Sequence, residues 1–151
     1  MLIIASDHGG LELKQALKEF LQKRQIDFRD LGTNGSESVD YPDFGESVAS
    51  AVSRGEASGG ILICGTGIGM SIVANKFPGV RAALAHDEFT ARMAKEHNNA
   101  NILVLGGRVQ TPEQGIKMVE AWLDSNFEGG RHQRRLDKIA ELERAICAGK
   151  N

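Results

Sequence analysis

Apolar residues fall along this chain in short runs, set between longer segments where they recur every three or four positions. The runs are Leu2 to Ala5, Ile26 to Asp30, Gly60 to Cys64, Val80 to Ala85 and Ile102 to Leu105. Each is too short for a helix. Read as uniformly apolar, they suit strands covered on both faces. Between them the period lengthens to that of a helix. Leu11 to Lys23 places Leu13, Ala16, Leu17, Phe20 and Leu21 on one face. Further helices are expected from Pro42 to about Ser53, Ile68 to Lys76, Glu88 to His97 and Pro112 to about Asn126. Asp87 and Thr111 stand as caps, and Pro42 and Pro112 as first helical residues. After Gly129-Gly130 a last helix runs from Arg131 to about Ala148, with Leu136, Ile139, Leu142 and Ile146 as its apolar stripe. That stripe suits packing on a partner subunit or on its own domain.

Strands that alternate with helices predict an α/β fold, a parallel sheet with helices on both faces. Functional groups then belong at the carboxyl ends of the strands. Asp7-His8, Cys64-Gly65-Thr66, His86-Asp87 and Gly106-Gly107-Arg108 all fall there. The 151 residues, 41% of them hydrophobic, are enough for one domain over 1–151. A net charge of −2 gives no reason to expect nucleic acid or an acidic membrane as partner. Two cysteines, Cys64 and Cys147, are no disulfide framework. With no signal-like leader and no membrane-length apolar stretch, a cytoplasmic protein is expected.

The densest chemistry is in Gly60-Ile61-Leu62-Ile63-Cys64-Gly65-Thr66-Gly67-Ile68-Gly69-Met70-Ser71. A strand runs into a cysteine, then three glycines on alternate positions, then a helix. Such glycines let backbone N–H groups crowd an anion, and the helix N-terminus adds positive potential. A ligand-free tight turn is the plainer reading, but it does not need three glycines in five residues. The lysine-bearing phosphate loop of nucleotide hydrolases is absent, and G-x-G-x-G is not the dinucleotide spacing G-x-G-x-x-G. Asp87 does lie about where that fold's ribose-binding acid would. A cysteine phosphatase would need arginine at position 70, which is Met70. A free cysteine is commonly a small buried hydrophobe. At a helix N-terminus its thiolate is favoured, so Cys64 is a candidate base or nucleophile. His97 ends a helix, where a histidine also sits well on the dipole. Arg131 and Arg135 share a helical face; such pairs are usually solvated, but two converging arginines hold a phosphate.

Asp7-His8-Gly9-Gly10, Asp40-Tyr41-Pro42, the block from Gly60 to Asn75, His97-Asn98, Gly106-Gly107-Arg108 and Glu128-Gly129-Gly130-Arg131-His132 closely resemble ribose-5-phosphate isomerase type B. That family includes allose-6-phosphate and galactose-6-phosphate isomerases, and the likeness covers essentially the whole chain. It implies a Rossmann-like three-layer α/β/α sandwich with a five-stranded parallel sheet and a C-terminal helix. It also implies an aldose–ketose isomerase that passes through a cis-enediolate and needs no metal or other cofactor. Carried over by motif, Cys64 is the base and the backbone of Gly65, Thr66, Gly67, Ile68 and Gly69 holds the enediolate. His97 opens the furanose, with Thr66 and Asp7 assisting, and Asn98 contacts the sugar. His8, Arg108, Arg131 and Arg135 bind substrate or its phosphate. The implied assembly is a homodimer with shared sites, in which the His97 and Arg108 region of one subunit faces the other's Cys64; a tetramer stays open. One branch of the family has a glutamate base six residues past the cysteine, and here that position is Met70. A hexose 6-phosphate substrate, a metal held by His8, His86 or His97, and a non-enzymatic nucleotide-binding module are the alternatives.

Overall fold

A computed structural model describes residues 1–149. Its five strands are β1 (Leu2–Ser6), β2 (Phe28–Asp30), β3 (Gly59–Cys64), β4 (Ala82–Leu84) and β5 (Ile102–Gly106). They form one parallel sheet in the order β2-β1-β3-β5-β4. The helices are α1 (Leu11–Lys23), α2 (Tyr41–Ser53), α3 (Ile68–Ala74), α4 (Glu88–Glu96), α5 (Pro112–Asp124) and α6 (Arg131–Cys147). A 3₁₀ turn over His8–Gly10 leads into α1.

Period-two alternation in the three central strands feeds two separate cores. Leu2, Ile4, Ile61, Ile63, Leu103 and Leu105 face α1, α4 and α5, meeting Leu13, Leu17, Leu21, Ala91, Met118 and Trp122. Ile3, Ala5, Leu62, Cys64, Ile102 and Val104 face α2 and α3, meeting Val48, Val52, Met70 and Ala74. A strand covered on both faces must be apolar throughout, which is why these runs are unbroken. The edge strands depart from that expectation. β2 carries Arg29 and Asp30 and is half-buried at best, because only one neighbour and one layer cover it. It also starts two residues later than its apolar pattern, since the Ile26 N–H still closes α1 on the Leu21 carbonyl. β4 is shorter than the run from Val80 to Ala85. Side-chain amides take its first backbone donors: Asn101 Oδ1 accepts from Arg81 N–H and Asn75 Oδ1 from Ala82 N–H. Asn75 thereby also ends α3 earlier than expected.

The expected caps form. Asp87 Oδ1 accepts from the Thr90 N–H at 2.7 Å, and Thr111 Oγ1 from the Gln114 N–H at 3.2 Å. α6 stands apart from the two cores. Its Glu143 carboxylate accepts from the Gly79 N–H at 3.0 Å, yet Ile139, Leu142 and Ile146 remain about half exposed.

A buried lysine fixes the loop after β2. Lys14 lies on the apolar stripe of α1, three and seven residues before Leu17 and Leu21, and is wholly inaccessible. Its ammonium meets Asp30 Oδ1 at 2.7 Å and also donates to the Thr33 carbonyl, while Lys18 holds Asp30 Oδ2 at 2.7 Å. Burial alone would push the Asp30 carboxyl up. The two lysines and the Gly32 N–H outweigh it and hold the group below the usual carboxylate range. Burial pushes Lys14 down, with Asp30 opposing. The anchored loop then runs to Val39, whose N–H donates to His8 Nδ1 at 3.2 Å.

At the carboxyl edge the loops after β1, β3 and β5 interlock through glycine backbone. A Cβ on Gly107 would stand 2.4 Å from the Gly9 carbonyl oxygen, and one on Gly106 would stand 2.9 Å from Thr66 backbone. The Gly107 N–H donates to the Cys64 carbonyl at 2.8 Å.

Gly107→Ala forces main chain to move and should cost roughly 1–3 kcal/mol. Gly35→Ala, which meets no atom within 4 Å, should stay within about 0.5 kcal/mol of the parent in urea unfolding. Asp30→Ala leaves the Lys14 ammonium buried without its carboxylate. It should cost about 3 kcal/mol, the lower end for a buried pair, because the Asp30 side chain keeps 13% exposure. Since the folded-state value of Asp30 is depressed, its contribution is present above the unfolded carboxylate range and lost as pH falls through the folded value. The parent should therefore lose more thermal stability on acidification from neutrality than Asp30→Ala does.

Candidate active site

The strand order reverses between β1 and β3: α1 leaves β1 toward one face, and α3 leaves β3 toward the other. The carboxyl ends of two such strands splay their connections and open a crevice. A cleft of about 430 Å³ lies there, lined by Asp7, Tyr41, Cys64, Gly65, Thr66, Ile68, Gly69, Ile72 and Arg108. Strand parity turns Cys64 toward the α2 and α3 side, where it is buried at the floor of the cleft.

The loop after Cys64 doubles back over the sulfur. Gly67 makes this possible by adopting φ +80°, a left-handed conformation that side chains disfavour. Its N–H then donates to Cys64 Sγ at 3.2 Å. The sulfur is thus held as an acceptor by the loop's own backbone. The Ile68 N–H is taken by Thr66 Oγ1 at 3.3 Å. Among the described residues nothing accepts from the N–H groups of Gly65 and Thr66. Two unpartnered donors therefore stand immediately after the sulfur. Asp7 is nearly buried, and its Oδ1 accepts from the Gly9 N–H at 2.9 Å, fixing the turn that presents His8. Tyr41 lies against Gly69: a Cβ there would meet its ring at 2.5 Å. Met70 is fully buried under Gly45, so that position belongs to the core and not to the cleft.

The remaining candidates lie elsewhere. His97 caps the carboxyl end of α4, and Asn98 follows it. Helices covering a parallel sheet run back to its amino edge, and Asn101, just before β5, accepts there from the Gly60 N–H. Four steps along β5 from Ile102 to Gly106 at about 3.3 Å each put roughly 13 Å between the two edges. His97 and Asn98 therefore cannot reach the Cys64 of their own chain. Arg131 and Arg135, exposed in the first turns of α6, lie with His97 because His132 stacks on its ring, centroids 4.1 Å apart. Arg108 does not share that edge. Its backbone N–H donates to the Gly65 carbonyl at 2.9 Å, and its Nη1 would be 3.1 Å from a Cβ on Gly65. The expectation that Arg108 sides with His97 is corrected: strand pairing carries it to its own chain's Cys64 loop.

Arg81 holds the turn that bears His97 and Asn98. Its Nε donates to the Asn98 and Asn99 carbonyls at 3.2 and 3.1 Å, and its Nη2 to Asn99 at 2.9 Å. Arg81 did not stand out in the sequence, and Glu128 did so only within the block that carries the resemblance, with no role attached. Glu128 Oε2 lies 3.3 Å from His132 Nε2 and 4.0 Å from His97 Nε2, and these three form the one cluster among the described residues able to hold a metal ion. It contains neither His8 nor His86. Asp87 is committed to its cap, which removes the acid a dinucleotide site would use.

The ribose/galactose isomerase family model matches residues 2–139. Ribose-5-phosphate isomerase B of Escherichia coli is 45% identical over 137 residues, 91% of this chain and 92% of that protein. The solved Clostridium thermocellum ribose-5-phosphate isomerase B is 53% identical and covers 97% of this chain and 99% of its own, with a TM-score of 0.93. The Mycoplasma genitalium enzyme, solved with bound ribulose 5-phosphate, is 49% identical and covers 95% of each chain, with a TM-score of 0.92. A likeness this complete, over a fold whose cysteine loop occupies the switch point, places the chain in the ribose/galactose isomerase family.

Proposed function

We propose that this chain is an aldose–ketose isomerase that interconverts ribose 5-phosphate and ribulose 5-phosphate, working as one domain without a metal. The observation that carries the reading is the pair of unpartnered N–H groups on Gly65 and Thr66 beside the Cys64 sulfur. A proton next to a sugar carbonyl is too weakly acidic for a thiolate to remove unaided. The negative charge that develops on oxygen must be stabilised where it forms, and one preorganised donor is typically worth roughly 10²–10³ in rate. Cys64 takes the C2 proton and returns it to C1, while the enediolate oxygen lies on the two N–H groups.

The substrate enters as a furanose. His97 opens the ring, with Thr66 and Asp7 assisting, and Asn98 contacts the sugar. His8 and Arg108 at one edge and Arg131 and Arg135 at the other bind substrate or phosphate, so that C1 and C2 face the sulfur. Because one chain separates these groups by the depth of the sheet, a complete site takes Cys64 from one copy and His97 from a second. The exposed Ile68 and Ile72 beside the cleft, and Ile139, Leu142 and Ile146 on α6, are the apolar surface such a homodimer would cover.

Ketose formation from ribose 5-phosphate, with allose 6-phosphate and galactose 6-phosphate in parallel and a chelator present, tests the activity. Ribose 5-phosphate should turn over best, and Cys64→Ala should lose roughly 10²–10⁴ in kcat without unfolding. Full activity in the variant would remove Cys64 as base, and turnover of only a hexose phosphate would reassign the substrate. Site sharing has its own test. Inactive Cys64→Ala and inactive His97→Asn, mixed in equal amounts and re-equilibrated, form mixed dimers in which one site is intact. Activity should return toward roughly a quarter of the parent's, as two-fold symmetry requires. No recovery after demonstrated exchange of subunits would place each site within one chain.

A further inference from the structure

His97 does not stand alone at the amino edge. The His132 ring lies over it, planes 14° from parallel. Glu128 faces the same side of both rings, 3.3 Å from one Nε2 and 4.0 Å from the other. The carboxylate is placed by main chain: the Glu128 N–H donates to the Glu96 carbonyl at 3.0 Å, tying the segment before α6 to the end of α4. His132 is only 6% exposed, and its Nε2 has no aligned hydrogen-bond partner despite the nearby carboxylate. A buried ring nitrogen left in that state carries a desolvation cost that a purely structural residue would avoid, since an apolar ring would stack as well. The three ligand atoms are close enough for a metal ion, within 4.8 Å of one another. The stack argues against one. Near-parallel rings send their lone pairs side by side, whereas a tetrahedral ion needs in-plane lone pairs that converge.

We propose that Glu128 and His132 are positioning residues for His97, and that together they prepare its imidazole for opening the sugar ring. The inference rests on the reading of His97 as the ring-opening group. In that step the C1 hydroxyl gives its proton to His97, and the C1–O4 bond breaks with its electron pair going to O4. The C1 carbonyl forms, and His97 returns the proton to O4. The imidazole is cationic midway through the step. A carboxylate 4.0 Å from its Nε2 stabilises that cation electrostatically. The flat His132 ring keeps the imidazole from rotating out of plane. An acid beside a catalytic histidine serves the same end in other enzymes; here it comes from the segment before α6.

The test separates ring opening from proton transfer. Ribulose 5-phosphate cannot close a furanose, because its 5-hydroxyl is esterified. Its C1 hydrogen exchanges with heavy water through the enediolate without any ring step. In Glu128→Gln and His132→Phe, turnover of ribose 5-phosphate should fall about tenfold or more, while C1 deuterium incorporation into saturating ribulose 5-phosphate stays within about twofold of the parent. Glu128→Asp should recover part of the turnover. Equal loss of turnover and exchange would overturn the proposal by showing general damage to the site, and so would no loss of either. His97→Asn, measured alongside, separates the two levels. If it shows the split and the Glu128 and His132 variants do not, the positioning role falls and the role of His97 stands. If His97→Asn turns over ribose 5-phosphate as the parent does, both fall.

Discussion

The whole site depends on backbone packed against backbone at the carboxyl edge of the sheet. Three loops, from β1, β3 and β5, meet where a Cβ on Gly106 or Gly107 would stand under 3.0 Å from the backbone of a neighbouring loop, and one on Gly9 at 3.2 Å. Side chains between these loops would hold them apart by the width of a methyl group or more. With glycine, main-chain groups of one loop bond to the next: Gly107 N–H to the Cys64 carbonyl, Arg108 N–H to the Gly65 carbonyl, Asp7 N–H to the Ile63 carbonyl. The result is a closely tied floor in which Cys64, Gly65 and Thr66 line one cleft. Preorganisation of this kind matters because a donor that must reorganise during the reaction loses much of its advantage.

The same sheet that carries this floor also divides the chemistry. Parallel strands return their helices to the amino edge, so a residue on the end of α4 is carried away from the loops by construction. His97 and Asn98 are held there firmly: Arg81 binds the carbonyls of their turn, Trp122 Nε1 donates to the Ala100 carbonyl at 3.0 Å, and Lys95 lies over the Trp122 ring. Both halves are stiff, and neither can swing to the other without breaking buried contacts. On the proposed reading, association of two copies would bring such halves together and cover the exposed Ile68, Ile72, Ile139 and Ile146.

Much of this was legible in the chain. The central strands and the cysteine loop follow from apolar runs ending in glycine, because burial on both faces and close backbone approach each leave a local mark. The caps at Asp87 and Thr111 were visible for the same reason. What escaped depends on distant pairing. Lys14 sits at core spacing with Leu17 and Leu21, which looks like a flaw in the apolar stripe until Asp30 arrives beneath it from β2. The resemblance grouped Arg108 with His97, whereas its place at the end of β5 already set it on the edge of Cys64, and the register of β5 on β3 seats it against Gly65. Glu128 and His132 share a four-residue spacing that is ordinary in any helix start. Their meaning comes from docking α6 onto the end of α4, which no local pattern records.

The open shape of the cleft completes the physical account. In one chain Cys64 lies at the floor of a cleft whose rim, Ile68, Ile72 and Thr66, is exposed. Water there would screen the donors and weaken their hold on a developing enediolate, because electrostatic interactions fall in proportion to the dielectric around them. A second copy seated on those isoleucines would do two things at once. It would bring a ring-opening imidazole to the substrate, and it would exclude water from the space in which the sulfur and the N–H groups act. Exposed apolar side chains around a polar reaction centre are costly in a lone chain and useful in a shared one. On the proposed sharing of sites, association would be part of the chemistry, since it would supply to each Cys64 both a ring-opening imidazole and a dry environment.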